Sequence, residues 1–273
     1  MPVIVIIGLI VLIGVAWLGW RALRRRRRAK LFRQPIPAAW RAVIERNVPL
    51  YHRLPEQLRG SLHGLVNIFL DEKRFVGCGG FSITDEVRAT IAGNAAMLLL
   101  GGERRSFRGF ETILVYPDTY VARDTRYEGF VEVQEDSVRS GESWPRGPVV
   151  LAWSDIVSQA HHGWSGRNVV IHEFAHKLDE ENDIMDGLPV LSDRSHYADW
   201  AKVLGREYAS LRHQVRAGAA SVLDPYGAVS PAEFFAVATE AFFETPELMK
   251  EELPDLYEQL GRFYNLDPAA WKA

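Results

Sequence analysis

The hydrophobic pattern changes character three times along the chain. Residues 2–20 (PVIVIIGLIVLIGVAWLGW) are an apolar run without a charge. Wound as a helix they span about 28 Å, close to the roughly 30 Å hydrocarbon core of a bilayer. The pattern therefore predicts one transmembrane helix. Trp17 and Trp20 stand near its end, where indole rings favour the membrane interface. The block 21–30 (RALRRRRRAK) follows the apolar run instead of preceding it, which is the reverse of a secretory signal. By the positive-inside rule the expectation is a single-pass protein of the inner (cytoplasmic) membrane, its body in the cytoplasm and the basic block against anionic headgroups.

Beyond Gln34-Pro35-Ile36-Pro37, a stiff extended connector, the apolar period becomes helical in pieces over 38–75, with breaks at Pro49 and near Pro55. Phe75 to Gly80 reads as a glycine-rich turn. Thr84 is a good N-cap, acids fill the next turn and Gly101-Gly102 follows, so a helix is expected over about 85–100. The texture then switches to short β-branched and aromatic runs: Thr112 to Tyr116, Gly129 to Val133 and Val149 to Trp153 predict strands of a small sheet. After Ser165-Gly166 the period is helical again at Val169, Val170, Phe174 and Leu178. The stretch 180–195 is polar and broken, 196–218 is helical, Pro225 and Gly227 mark a loop, and Pro231 opens a helix to about 244. Pro254 interrupts a last helical region. Helices, a short sheet and helices again make an α+β body. The expected organisation is a span at 1–20, a basic segment and linker at 21–37, and one domain at 38–273.

Composition narrows the function. With 47% apolar and 25% charged residues the chain can bury a sizeable core, which excludes a disordered chain, and the single cysteine, Cys78, excludes a disulfide-stapled scaffold. Seven of the 32 Lys and Arg lie in 1–30, which has no acid, leaving 25 bases against 35 acids, a net charge of −10, for the remainder. A body of that sign is a poor binder of nucleic acid, so no direct nucleic-acid partner is expected.

One motif carries chemistry: His172-Glu173-Phe174-Ala175-His176, an H-E-x-x-H pattern. On a helix, residues four apart lie about 40° apart around the axis and about 6 Å along it, so both imidazoles can reach one zinc ion. Glu173, beside the first histidine, is placed to take a proton from the attacking water. Gly at 179 and His at 182 would extend the motif to a three-histidine site. Asp179 and Asn182 stand there instead. The third ligand is then an acid on a later helix, with Glu233 and Glu240 as the candidates, seven apart and on nearly the same helical face. Asp179, three residues after His176, is a candidate to accept the second ring N–H of a ligand histidine. His161 and His162, ahead of the motif helix, read as exposed loop residues.

HEFAHKLD, followed some fifty residues later by DPYGAVSPAEFFAVATEAFFE, closely resembles the MtfA family of zinc peptidases. Those enzymes are gluzincin-like, with a core similar to the catalytic domain of anthrax lethal factor. The resemblance covers most of 31–273 and implies a zincin-like fold. It further implies that His172, His176 and Glu233 hold Zn2+, that Glu173 is the general base, and that Tyr226, seven residues before Glu233, faces the metal and donates to an oxyanion. It also implies peptidase activity of aminopeptidase type on a peptide or protein substrate, and a transcriptional regulator as a partner. The membrane span is foreign to the soluble members of that family. The competing expectation is a regulatory binding protein of the repressor-titrating kind, its zinc site structural or latent.

Overall fold

The computed structural model describes residues 2–102, 107–118, 120–128, 131–139, 141–143, 147–162 and 166–271. A long helix α1 (Pro2–Arg33) leads into α2 (Ala38–Asn47), the single turn α3 (Leu50–Arg53) and α4 (Glu56–Glu72). The expected breaks at Pro49 and Pro55 separate these pieces, since each proline precedes the first helical residue. A strand β1 (Arg74–Gly77) and helix α5 (Asp85–Met97) follow, then β2 (Thr112–Tyr116), β3 (Tyr120–Glu128), β4 (Val131–Arg139), β5 (Gly141–Ser143) and β6 (Val149–Ala152). The chain finishes through α6 (Trp153–His162), α7 (Val169–Asp179), α8 (His196–Ala217), α9 (Pro231–Glu244), α10 (Pro246–Glu252) and α11 (Pro254–Tyr264).

The main sheet has the order β1-β2-β6-β5. Its first three strands run parallel, with Leu114 opposite both Val76 and Val150, and β5 closes the edge antiparallel to β6. The β3–β4 hairpin forms a separate ribbon. Helices α4, α5, α7 and α9 pack in succession beside the sheet. Their apolar faces form one core, with Phe174 of α7 set among Phe69, Phe107 and Phe110. This is an α+β body of zincin-like kind.

The structure corrects several expectations. Phe75 to Gly77 are not a turn but the last three residues of β1, and the turn begins at Cys78. A Cβ on Gly77 would lie 1.8 Å from the Phe81 carbonyl oxygen, so the glycine belongs to a close backbone approach. His161 and His162 end helix α6 and do not lie in a loop. Of the predicted strand Gly129 to Val133, Gly129 and Phe130 lie outside the described residues, and Val131 opens β4.

The amino-terminal expectation changes most. Among the described residues no helix is long and apolar enough to cross a membrane. This overturns the single-pass assignment to the inner membrane with a cytoplasmic body. The basic block is paired with acids of the body. Arg27 Nη2 donates to Asp71 Oδ1 at 2.5 Å, and Arg28 grips Glu72 through two hydrogen bonds of 2.6 and 2.8 Å, both on α4. Leu12, Val15 and Leu18 of α1 stand exposed.

Candidate metal centre

Helix α7 is fixed at its start by Asn168, whose side-chain oxygen accepts the Ile171 N–H at 3.1 Å. Val169, Val170, Phe174, Ala175 and Leu178 face the core, and the helix therefore turns His172, Glu173 and His176 toward α9. Helix α9 begins at Ser230, whose hydroxyl accepts the Glu233 N–H at 3.2 Å, with Pro231 in the first position. That cap sets Glu233 in the first turn, opposite the two histidines.

His172 Nε2 lies 3.0 Å and His176 Nε2 3.3 Å from the same Glu233 Oε2, and the three donor atoms fall within 4.8 Å of one another. Ligands about 2.0–2.1 Å from a tetrahedral zinc ion stand roughly 3.3 Å apart, and the two histidine–glutamate separations are close to that spacing. Glu173 is 4% exposed at the wall of the same site. Tyr226 lies in a 3₁₀ turn, Pro225–Ala228, with its ring 5.9 Å from that of His172 and half of its surface exposed. The structure thus gathers His172, His176, Glu233, Glu173 and Tyr226 at one place.

Glu240, the other candidate ligand, sits behind His172 instead. Its Oε2 is 3.2 Å from His172 Nδ1 and its Oε1 accepts the Asn168 N–H at 2.8 Å. A carboxylate at Nδ1 leaves Nε2 as the metal-facing nitrogen. The Asn168 amide also donates to Asn94 Oδ1 at 2.9 Å and to Glu244 Oε1 at 2.8 Å. Asp179 is fully buried. Its Oδ2 accepts the Gly187 N–H at 2.8 Å, while its Oδ1 and His176 Nδ1 make no hydrogen bond. Gly187 has a positive φ of 79°, and a Cβ there would strike the Pro231 carbonyl, so Asp179 ties the loop after α7 against the start of α9.

The charges explain one another. Burial pulls the His172 imidazolium down, but the carboxylates of Glu240, Glu233 and Glu173 outweigh it and hold its pKa well above the ordinary value. Burial alone would raise Glu233, and its contacts with His172 and His176 override this and hold its carboxyl far below the usual range. Burial raises Asp179 to about 6 and Glu244 to about 7.

A family model for the glucose-regulated metallo-peptidases M90 matches residues 20–265. The chain belongs to that family. It is 40% identical over 254 residues to an uncharacterized protein of Synechocystis, covering 92% of this chain and 90% of that protein. It is 34% identical over 235 residues to a protein of Pectobacterium atrosepticum named Mlc titration factor A, covering 85% and 87%. The protein of the same name from Serratia proteamaculans is 35% identical over 237 residues, covering 85% and 88%. Membership in the M90 family implies a metal, and the His/His/Glu donor set accords with it.

Sequence reasoning missed the Glu240–His172 contact, although the seven-residue spacing from Glu233 had marked Glu240 as lying on the same helical face. It also missed the role of Asn168, for which the N-cap position before Val169 was the available signal.

Proposed function

We propose that this chain is a zinc-dependent peptidase acting on a peptide or protein substrate. The observation that carries the reading is the convergence of His172 Nε2, His176 Nε2 and Glu233 Oε2 beside a buried Glu173. These three side chains would hold the ion, which when bound supplies Lewis acidity and brings the pKa of a water towards about 7. Glu173 accepts the proton of the attacking water and delivers it to the leaving amine. Tyr226, at the open side of the site, donates to the oxygen that gains charge as the carbonyl becomes tetrahedral. Glu240 holds His172 in the tautomer and orientation that ligation needs. Asp179 holds the loop after α7 in place through Gly187.

The test is to measure zinc content and peptide hydrolysis in the wild type and in Glu173→Gln. The substitution keeps shape and removes basicity. One zinc per chain should remain, while turnover falls by about 10²–10⁴, or roughly 3–5 kcal/mol of transition-state stabilisation. Hydrolysis at the wild-type rate would sink the mechanism. A second reading draws on the relatives named Mlc titration factor A: a protein that binds and titrates a transcriptional regulator. Regulator binding that survives Glu173→Gln while hydrolysis is absent from the wild type would favour that reading.

A further inference from the structure

We propose that Arg167 and Asp224 form a latch that positions Tyr226 over the metal centre, an inference that rests on the peptidase reading for its catalytic consequence. The two carboxylate oxygens of Asp224 are divided between two tasks. Oδ1 accepts the Tyr226 N–H at 2.9 Å and so starts the turn that carries the tyrosine, and Oδ2 is gripped by the Arg167 guanidinium. Arg167 directly precedes Asn168, which is anchored to Glu240, Glu244 and Asn94. The ties therefore run from Glu240 through Asn168, Arg167 and Asp224 to Tyr226. Both ends of that series meet His172, Glu240 at its Nδ1 and Tyr226 at its ring.

The far side of the turn is held by other elements. Gly227 fits against Leu211 of α8 and Val237 of α9, and the Tyr208 hydroxyl reaches the Ala228 carbonyl. Arg167 ties the near side to α7, the helix that carries the two histidines. An ion pair whose arginine is 65% exposed adds little to global stability. Its worth is positional, because a displacement of about 1 Å at a reacting group can cost a hundredfold in rate. Arg167 is thus a positioning residue acting through Tyr226.

The test uses the full zinc-loaded chain in five forms: wild type, R167Q, R167K, Y226F and the double variant R167Q/Y226F. R167Q should lower kcat by between about tenfold and a hundredfold with KM little changed and zinc retained. It should add nothing in the Y226F background, and R167K, which keeps a cation facing Asp224, should recover part of the loss. A second measurement is independent of hydrolysis. In metal-free chain with fluorinated tyrosine, the ¹⁹F line that vanishes in Y226F should move towards the unfolded position in R167Q. Should the wild type fail to hydrolyse any peptide, the peptidase reading falls while the ¹⁹F line still decides the latch. An unmoved line in R167Q, or an undiminished R167Q effect on kcat in the Y226F background, would overturn the proposal.

Discussion

Helix α7 buries charge on two adjoining faces, and the two clusters are balanced differently. On one face His172, Glu173 and His176 meet Glu233 and Glu240, so three carboxylates surround two imidazoles. On the next face Lys177 is fully buried and donates to Gly147 O and to both oxygens of Glu180, each at 3.1 Å. Beside it Lys73 donates to the carbonyls of Phe107 and Phe110 at 3.0 and 2.7 Å and sits 3.8 Å over the Phe110 ring. The lysine cluster is completed by its own acceptors. The histidine cluster has more acid than its imidazoles can balance, and even a protonated His172 leaves an excess that a bound cation would remove. The first arrangement fixes a fold, and the second favours a ligand.

The sharpest way to break this comparison is to remove one acid at a time and count zinc. Glu233→Ala takes away one of the three proposed ligand atoms, and the chain should emerge from dialysis against dilute chelator with almost no metal. Glu240→Gln leaves the three donors in place and loosens only the orientation of His172, which should cost about 10–100-fold in zinc affinity. Competition with a chromogenic chelator measures both. If Glu240→Gln empties the site as fully as Glu233→Ala does, the assignment of roles is wrong.

On the lysine side the expected loss is of stability and not of metal. Lys177→Met leaves the Glu180 carboxylate and the Gly147 carbonyl without their ammonium donor in a dry setting. Breaking such a buried pair from one side costs about 3–5 kcal/mol. Adding Glu180→Leu removes the stranded charge and should return part of the loss. Urea denaturation reads both variants, with zinc content as the control. A stable Lys177→Met chain that loses its zinc would show that the two faces are not separate.

Much of the body was legible because its elements are marked locally. Thr84 caps α5, which stops at Met97 before the expected residue 100. Thr112 to Tyr116 form β2 residue for residue, and α9 runs from Pro231 to Glu244 as its proline and apolar period require. Strand β1 was hidden because Gly77 and the glycines after it suggest a turn. Only the parallel pairing of Val76 with Leu114 makes the segment a strand. Helix α6 escaped because its start is continuous with a strand-like run that ends at Trp153. The H-E-x-x-H residues declare themselves by spacing within one helix. Glu240 against His172 and Asp224 against Arg167 are 68 and 57 positions apart, and no local period reports contacts of that range.

The smallest effect concerns pH and again separates the two clusters. Glu244, behind Asn168, has its carboxyl raised to about 7 by burial, with Glu240 adding to the rise, against an ordinary value of 4.5. Between those values the folded chain holds a proton that the unfolded chain has released. This stabilisation is fully present below pH 4.5 and is lost as pH rises through 7, amounting to about 3 kcal/mol at most. Lys73 shows the opposite sign. Burial lowers its ammonium from 10.5 to about 8, so between those values the unfolded chain holds the extra proton and stability rises with pH. Glu244→Gln keeps an acceptor for Asn168 and removes the titration. In metal-free chain its unfolding free energy should be flatter than wild type from pH 4.5 to 7, and unchanged in slope from pH 8 to 10.5. Parallel curves for the two proteins across the lower window would mean that Glu244 is ionised throughout. The acid excess around Asn168 would then be neutralised in some other way.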